Sequence, residues 1–396
     1  MTRIPVAFLQ GGARTYEVLV NKYENILGFD LDQENFIVHP KMILFYEFVG
    51  NNAYMIQQMP IMMERFKDSE IFLILDDSYE GLSDKTFIES LKVAIDNTPC
   101  VKHWRILSSN VKVKQFLNDV FETDENYQYF NIHLHLDHYD NINVKDHEWV
   151  VNPQLRQKKF LCVNRQERYH RLLTVDHLLK NDIAKHTYLS CMLGEYQSLI
   201  YDNQKTWSNQ DKALRKFLDP DLDKLSLTKE QKNRLKILPL ELDVDEDQHN
   251  AVKVNMPSLE NYFNQSYFSI ITEGDYSRGT ERQMFTEKIL KCFLYAHPFI
   301  VIGLPGTLEL LHDLGFITFG SVIDESYDKE IDDTKRLQMC LEQIDKLNKL
   351  NMNEMKNLYN DLIPILEHNF QIYKVLNSLP APNKLANDLL SWHSND

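Results

Sequence analysis

Short, largely apolar runs alternate with amphipathic stretches along most of this 396-residue chain. Residues 6–9, 42–49, 70–75, 103–107 and 129–136 read as strands, and 53–66, 87–95 and 111–121 as helices between them. The pattern resumes with strands at 160–163 and 187–190 around a helix at 172–179. A strand, helix, strand succession of this kind predicts a parallel, doubly wound α/β sheet. The methionines of 53–66 read as core filler. Gly11-Gly12 after the first strand allows close backbone approach to a ligand or simply a tight turn.

The pattern is sharpest over 268–336, which reads strand, loop, helix, strand, turn, helix. Thr286 stands where an N-cap belongs, ahead of apolar Ile289, Phe293 and Ala296. The run 299–302 follows Pro298 and suits a strand buried on both faces. Pro305 and Gly306 break it, and Gly315 ends the helix that follows. Ligands of such sheets bind at the carboxyl ends of strands, often at a helix N-terminus. Glu287 and Lys288 fall at such a position. Beyond this stretch, 332–368 read as long amphipathic helices.

The same residues carry a resemblance. Thr286-Glu287-Lys288, a helix, then Pro298-Phe299-Ile300 is similar to the donor-site motif of the α-1,3-fucosyltransferases. With Leu304-Pro305-Gly306, Leu314-Gly315-Phe316 and Ile323-Asp324-Glu325-Ser326-Tyr327-Asp328, the pattern resembles fucosyltransferase-like glycosyltransferases of tailed phages and large viruses. The resemblance covers roughly the second half of the chain. It implies a GT-B fold: two Rossmann-like domains facing a cleft, with C-terminal helices that cross back onto the first domain. It also implies an inverting transfer from a nucleotide diphosphate sugar to a hydroxyl acceptor, without a cofactor or metal. The acceptor would be a glycan or, for a phage protein, a hydroxymethylated DNA base. The alternative is a non-catalytic nucleotide- or glycan-binding protein on the same fold.

Length suits two domains. We expect an acceptor domain over 1–150 and a donor domain over 151–335 carrying an insertion at about 203–256. C-terminal helices fill 336–396. The net charge of -15 argues against a protein that wraps nucleic acid by charge alone. A basic helix at 229–236 within the insertion keeps a DNA acceptor open. The five cysteines are scattered, with no CxxC pair, as expected of reduced thiols. No apolar run has the ~18 residues of a membrane span, and the first strand is too short for a signal peptide. These point to a cytoplasmic protein, in the host cytoplasm if viral.

Departure of a nucleoside diphosphate needs cations or amides that stabilise growing charge. Arg165, Arg168 and Arg171 follow a strand end, where a phosphate-binding loop belongs, although a solvated basic turn has the same composition. In the resembled family an arginine here contacts the diphosphate, and Arg165 or Arg168 matches it. Lys288 would be the second cation, Thr286 would add helix-end amides, and Glu287 would accept from hydroxyls of the donor. Glu273 matches the glutamate of the family's Phe-Glu-Asn segment. Gly274 replaces the asparagine and the loop to Glu287 is longer, so GDP-fucose is not implied. Tyr276, Arg278 and Arg282 lie in that loop and are candidates to reach the base or phosphate of the donor. Asp324, Glu325 and Asp328 read as a capping or inter-domain cluster rather than a metal site. The base of an inverting transfer would be a carboxylate or histidine of the first domain. Asp76 or Asp77, near Glu80 at a strand end, is the first choice. Alternation along a strand would put His133, His135 and Asp137 on one face, near His138.

Overall fold

A computed structural model of the chain describes residues 4–10, 29–31, 39–47, 56, 58–78, 81, 83–135, 144, 146–151, 155–164, 168–192, 227–240, 242, 256–277, 279–378 and 383–394. Contacts divide the chain into two compact units. The first comprises Met1–Asn143, Glu281–Met284 and Leu376–Asp396, and the second Val144–Thr280 and Phe285–Val375.

The first unit contains β1 (Ile4–Gln10), β2 (Phe29–Leu31), β3 (Lys41–Glu47), α1 (Met59–Met63), β4 (Glu70–Asp77), α2 (Lys85–Asp96), β5 (Val101–Ser108), α3 (Lys112–Phe121) and β6 (Tyr127–Tyr129). The strands are parallel and ordered β2-β1-β3-β4-β5-β6. β4 is central and buried along its length after Glu70, as a strand covered on both faces must be. Asp84 starts α2 by accepting from the Phe87 amide at 2.8 Å. That helix then buries Phe87, Ile88, Leu91 and Ala94 against Leu73, Leu75 and Ile106.

The second unit contains β7 (Lys158–Asn164), α4 (Tyr169–Lys180), β8 (Thr187–Cys191), α5 (Lys229–Leu235), α6 (Met256–Asn264), β9 (Ser266–Thr272), α7 (Glu287–Leu294), β10 (Phe299–Ile302), α8 (Thr307–Asp313), α9 (Asp333–Asn348) and, as far as Val375, α10 (Met352–Ser378). Its strands are parallel in the order β10-β9-β7-β8. β9 and β10 are buried throughout. Phe293 of α7 stacks on Phe316 at 4.1 Å between centroids, and burying each ring stabilises by about 1.5–3 kcal/mol. Gly306 (φ 77°) opens α8 and Gly315 (φ 92°) follows its end, both in the left-handed region that suits glycine. A last helix, α11 (Asn383–Ser394), belongs to the first unit. Its Trp392 donates to Glu70 Oε1 at 2.6 Å and meets Phe72 edge-on, and Arg105 pairs with Asp388.

The fold class is therefore α/β, and two parallel-sheet units in one chain fit the GT-B expectation. The expected strand over 129–136 is not formed. β6 stops at Tyr129, and Ile132–His135 form a 3₁₀ turn. Asn131 is the cause: its side chain accepts from the His133 amide at 3.0 Å and its carbonyl from Leu134. Such local bonding competes with a strand ladder. The short β2 was not expected at all. Of 53–66, the described part is α1 followed by a 3₁₀ turn, Glu64–Phe66. Gly11, Gly12 and most of 203–256 lie outside the described residues. Among the described residues no helix is long and apolar enough to cross a membrane.

Candidate anion-binding site at the switch point of the second sheet

The strand order defines where a ligand belongs. From β7 the chain passes through α4 to β8 on one side, then returns to β9 on the other. The crevice at the carboxyl ends of β7 and β9 is thus the topological switch point. Asn164, the last residue of β7, ties these ends together. It accepts from the Thr272 hydroxyl and donates to the Ser190 carbonyl at 3.3 Å.

The next residue of the β9 strand end is Glu273, and its carboxylate is buried. Oε1 accepts from the Thr286 amide at 3.1 Å, and Oε2 from the Thr286 hydroxyl at 2.6 Å. Thr286 does occupy the N-cap position of α7, but its side chain makes no cap bond. Tertiary contact with Glu273 has taken the hydroxyl instead. Lys288 Nζ donates to Thr286 Oγ1 at 2.8 Å and Glu287 Oε1 at 3.3 Å, with Glu273 Oε2 at 3.6 Å. Burial alone would lower the ammonium's pKa. The Glu287 and Glu273 carboxylates outweigh it, so the pKa is raised and Lys288 stays charged. Its side chain remains 30% exposed.

α4 brings its own cations to this end of the sheet. Arg171 is buried, and one of its Nη atoms donates to the carbonyls of Thr272 and Glu273 at 3.2 and 3.1 Å. Burial, then nearby Arg168, pushes its pKa down to about 10, so it too is charged at neutral pH. Arg168 holds the N-cap position of α4 and is only half-buried. The Nε2–H of His170 donates to the Glu273 carbonyl at 2.9 Å. Burial and the Arg171 charge push this imidazole far below its usual pKa, so it is neutral. Arg168, Arg171 and Lys288 against Glu273 and Glu287 leave one positive charge in excess. Helix N-termini at α4 and α7 add to the positive field. The constellation suits a phosphorylated ligand.

Tyr276, expected as a donor contact, lies inside the unit and is 3% exposed. Its ring stacks on His170 at 4.7 Å, and the Arg336 guanidinium covers it at 4.5 Å. Its hydroxyl donates to the Asp333 carbonyl. Arg336, in the first turn of α9, also donates to the carbonyls of Gly303 (3.0 Å) and Tyr276 (2.6 Å). The stack is thus a rigid floor under the loop after β9. Sequence reasoning missed His170 and Arg336. For Arg336 the signal was present: it lies one turn before Cys340, beside the Leu337, Cys340, Ile344, Leu347 stripe that α9 buries.

The other expected residues fall elsewhere. Arg282 is buried, on the Glu281–Met284 segment that belongs to the first unit. The Asn110 side chain holds that segment, donating to the Glu281 carbonyl and accepting from the Gln283 amide, each at 3.0 Å. Asp76 and Asp77 end β4 and are each 2% exposed. Asp76 accepts from the Ser78 amide at 3.1 Å. Asp77 Oδ2 accepts from the Ser83 amide at 3.0 Å and the Ser108 hydroxyl at 2.8 Å. The switch point of the first sheet lies between β1 and β3, one strand away. His133 and His135 share the 3₁₀ turn, so they do not alternate along a strand face. Asp324 caps Ser326, Glu325 accepts from the Phe319 amide and Thr318 hydroxyl, and Asp328 caps the Leu308 and Glu309 amides. These are structural caps. Arg165, Arg278, Glu80, Asp137 and His138 lie outside the described residues. Among the described residues no group of three or more His, Cys, Asp or Glu is placed to hold a metal.

Arg234, in the basic helix 229–236 that kept a DNA acceptor open, is engaged elsewhere. Its guanidinium holds both oxygens of Asp176 of α4, at 2.7 and 3.0 Å.

No family model matches the chain, and a search of curated proteins finds no match. Among solved structures, the chain is similar to an apo structure of OtsA, with 9% identity over 92% of this chain and 77% of that one, and a TM-score of 0.39. It is also similar to a crystal structure of an α1,3-fucosyltransferase, with 10% identity over 96% of this chain and 90% of that one, and a TM-score of 0.35.

Proposed function

We propose that this chain is a glycosyltransferase that moves a sugar from a nucleotide diphosphate sugar to a hydroxyl acceptor, with inversion. The observation that carries this reading is the net-positive constellation at the β7/β9 switch point, where Arg168 and the charged Lys288 flank two helix N-termini. A leaving diphosphate needs such a field. The residues concerned include those of the motif that resembles the fucosyltransferase donor site. Arg168, with Arg165 beside it in sequence, and Lys288 contact the diphosphate, and Glu287 accepts from hydroxyls of the donor. These cations neutralise the diphosphate without a metal, so transfer is expected to persist in EDTA. The base is Asp76 or Asp77.

The acceptor in this reading is a glycan or another hydroxyl compound rather than modified DNA. The net charge of -15 opposes a polyanion, and Arg234 is already paired with Asp176. The rival reading, a binding protein without catalysis, draws on the burial of Asp76 and Asp77. A panel of UDP-, GDP-, ADP- and dTDP-sugars separates them: thermal shift finds the donor, and nucleoside diphosphate release with a pooled acceptor set finds turnover. Stabilisation by one donor with release is expected. Stabilisation without release under all acceptors favours the rival, and no stabilisation by any donor rejects the site.

A further inference from the structure

We infer that Glu273 is a positioning residue that holds Lys288 in place as a fixed charge, rather than a ligand of the donor. The inference rests on the donor-site reading above and gives one of its residues a different task. Four observations carry it. The Glu273 side chain is 4% exposed, so no ligand reaches it as it stands. Both of its oxygens are occupied: Oε1 by the Thr286 amide, Oε2 by the Thr286 hydroxyl and, at 3.3 Å, by the Gly274 amide. The Thr286 hydroxyl, having donated to Glu273, presents its lone pair to Lys288 Nζ at 2.8 Å. The Glu273 backbone is itself held by His170 and Arg171, so the carboxylate has a rigid mount.

The charged groups around the ammonium are Glu273 from the end of β9, Glu287 from its own helix and Arg171 from α4. Arg171 opposes the Lys288 charge, and the two carboxylates support it. Removing Glu273's charge shifts that balance toward the neutral amine. A carboxylate that bound the donor directly would instead weaken binding at every pH when replaced.

The test uses the full chain with lysine labelled with 15N, and compares wild type, Glu273→Gln, Thr286→Val and Lys288→Ala. NMR follows the Lys288 ammonium against pH, its signal assigned by its loss in Lys288→Ala. Calorimetry follows binding of GDP and UDP over the same range. In Glu273→Gln the Lys288 midpoint should move to lower pH. The alkaline loss of nucleotide binding should move with it, about tenfold in affinity per pH unit of displacement. The loss of binding should be smallest at neutral pH, where Lys288 is still charged, and grow towards alkaline pH. Thr286→Val removes only the hydroxyl bridge and should move the midpoint the same way by less. It carries the test alone if Glu273→Gln does not fold. An unmoved Lys288 midpoint in the folded variants overturns the inference, as does a uniform loss of binding at all pH values. If wild type binds neither nucleotide while the midpoint still moves, positioning is supported and the donor-site reading fails.

Discussion

The carboxyl ends of the two sheets are built from different chemistry. At the end of β4 and β5 in the first unit, Asp77, Ser83, Ser108 and Asn110 bond to one another and to backbone. At the end of β7 and β9 in the second, Arg168, Arg171, Glu273, Glu287 and Lys288 are gathered with a neutral buried histidine. The first arrangement holds Asp77 Oδ2 with two neutral donors and shapes turns. The second keeps charges in excess and leaves Lys288 and Arg168 reachable. An exposed cation over a buried counter-charge can answer a ligand; a closed hydrogen-bond net can only hold a loop. The proposed donor site draws on the second arrangement, and the proposed base would have to work from within the first.

The comparison breaks most sharply at Lys288. Lys288→Ala should lower turnover by about 10²–10³, the cost of losing one donor to a developing anion. The fold should survive with reduced stability, because the buried Glu273 loses its neighbouring cation but keeps its bonds to Thr286. Steady-state kinetics with a thermal melt as control would check this, and an unchanged turnover rate would reject the site.

Asp77 is the matching test in the first unit. Asp77→Ala strands the Ser83 amide and the Ser108 hydroxyl, both buried, at about 1–3 kcal/mol each. A loss of about 2–6 kcal/mol in urea denaturation is expected, with Asp77→Asn much milder because it keeps one acceptor oxygen. If Asp77→Asn abolishes transfer while leaving stability intact, the aspartate is chemical after all and the contrast fails.

Acid should find the second unit next. His170 and His297 are buried there, both held neutral with pKa values well below the usual 6.5, chiefly by burial. Above about pH 6.5 neither folded nor unfolded chain protonates them, and stability is unaffected. As pH falls below that value the unfolded chain takes up two protons that the folded chain refuses. Stability then falls, by up to ~2.7 kcal/mol per pH unit for two sites. Denaturation at pH 7.5, 6.5 and 5.5 measures the slope, and a flat profile would mean the two imidazoles are not held neutral.

The smallest effect concerns α5. Arg234→Ala leaves the carboxylate of Asp176 without its bidentate partner and should cost about 1–3 kcal/mol. Replacing Lys229 and Lys232 with alanine should leave acceptor affinity unchanged. Should DNA be bound, each lost phosphate contact would flatten the log–log salt slope by about 0.9. A gel shift on hydroxymethylcytosine duplex at two salt concentrations decides: tight, salt-sensitive binding would return the acceptor question to DNA.

What the chain announces locally is what one element can express. β9, α7 and β10 are legible because their apolar runs have the lengths and periods of buried strands and of an amphipathic helix, and Gly306 and Gly315 stand at positive φ where any other residue would be strained. The Thr286–Lys288 motif was visible only through its resemblance to the fucosyltransferase donor-site motif. The role of Glu273 was not, because its partner lies 13 residues along the chain and is met only when α7 docks beside β9. Arg336 reaches Tyr276 across 60 residues; its place beside the buried stripe of α9 marks it as inward-facing, but not what it meets there. Asn131 defeated the strand reading because a side chain bonding its own backbone can outcompete a ladder, a choice apolar alternation does not encode. The switch point itself depends on strand order. Order is decided by which crossover packs on which face, and that is a property of the whole sheet.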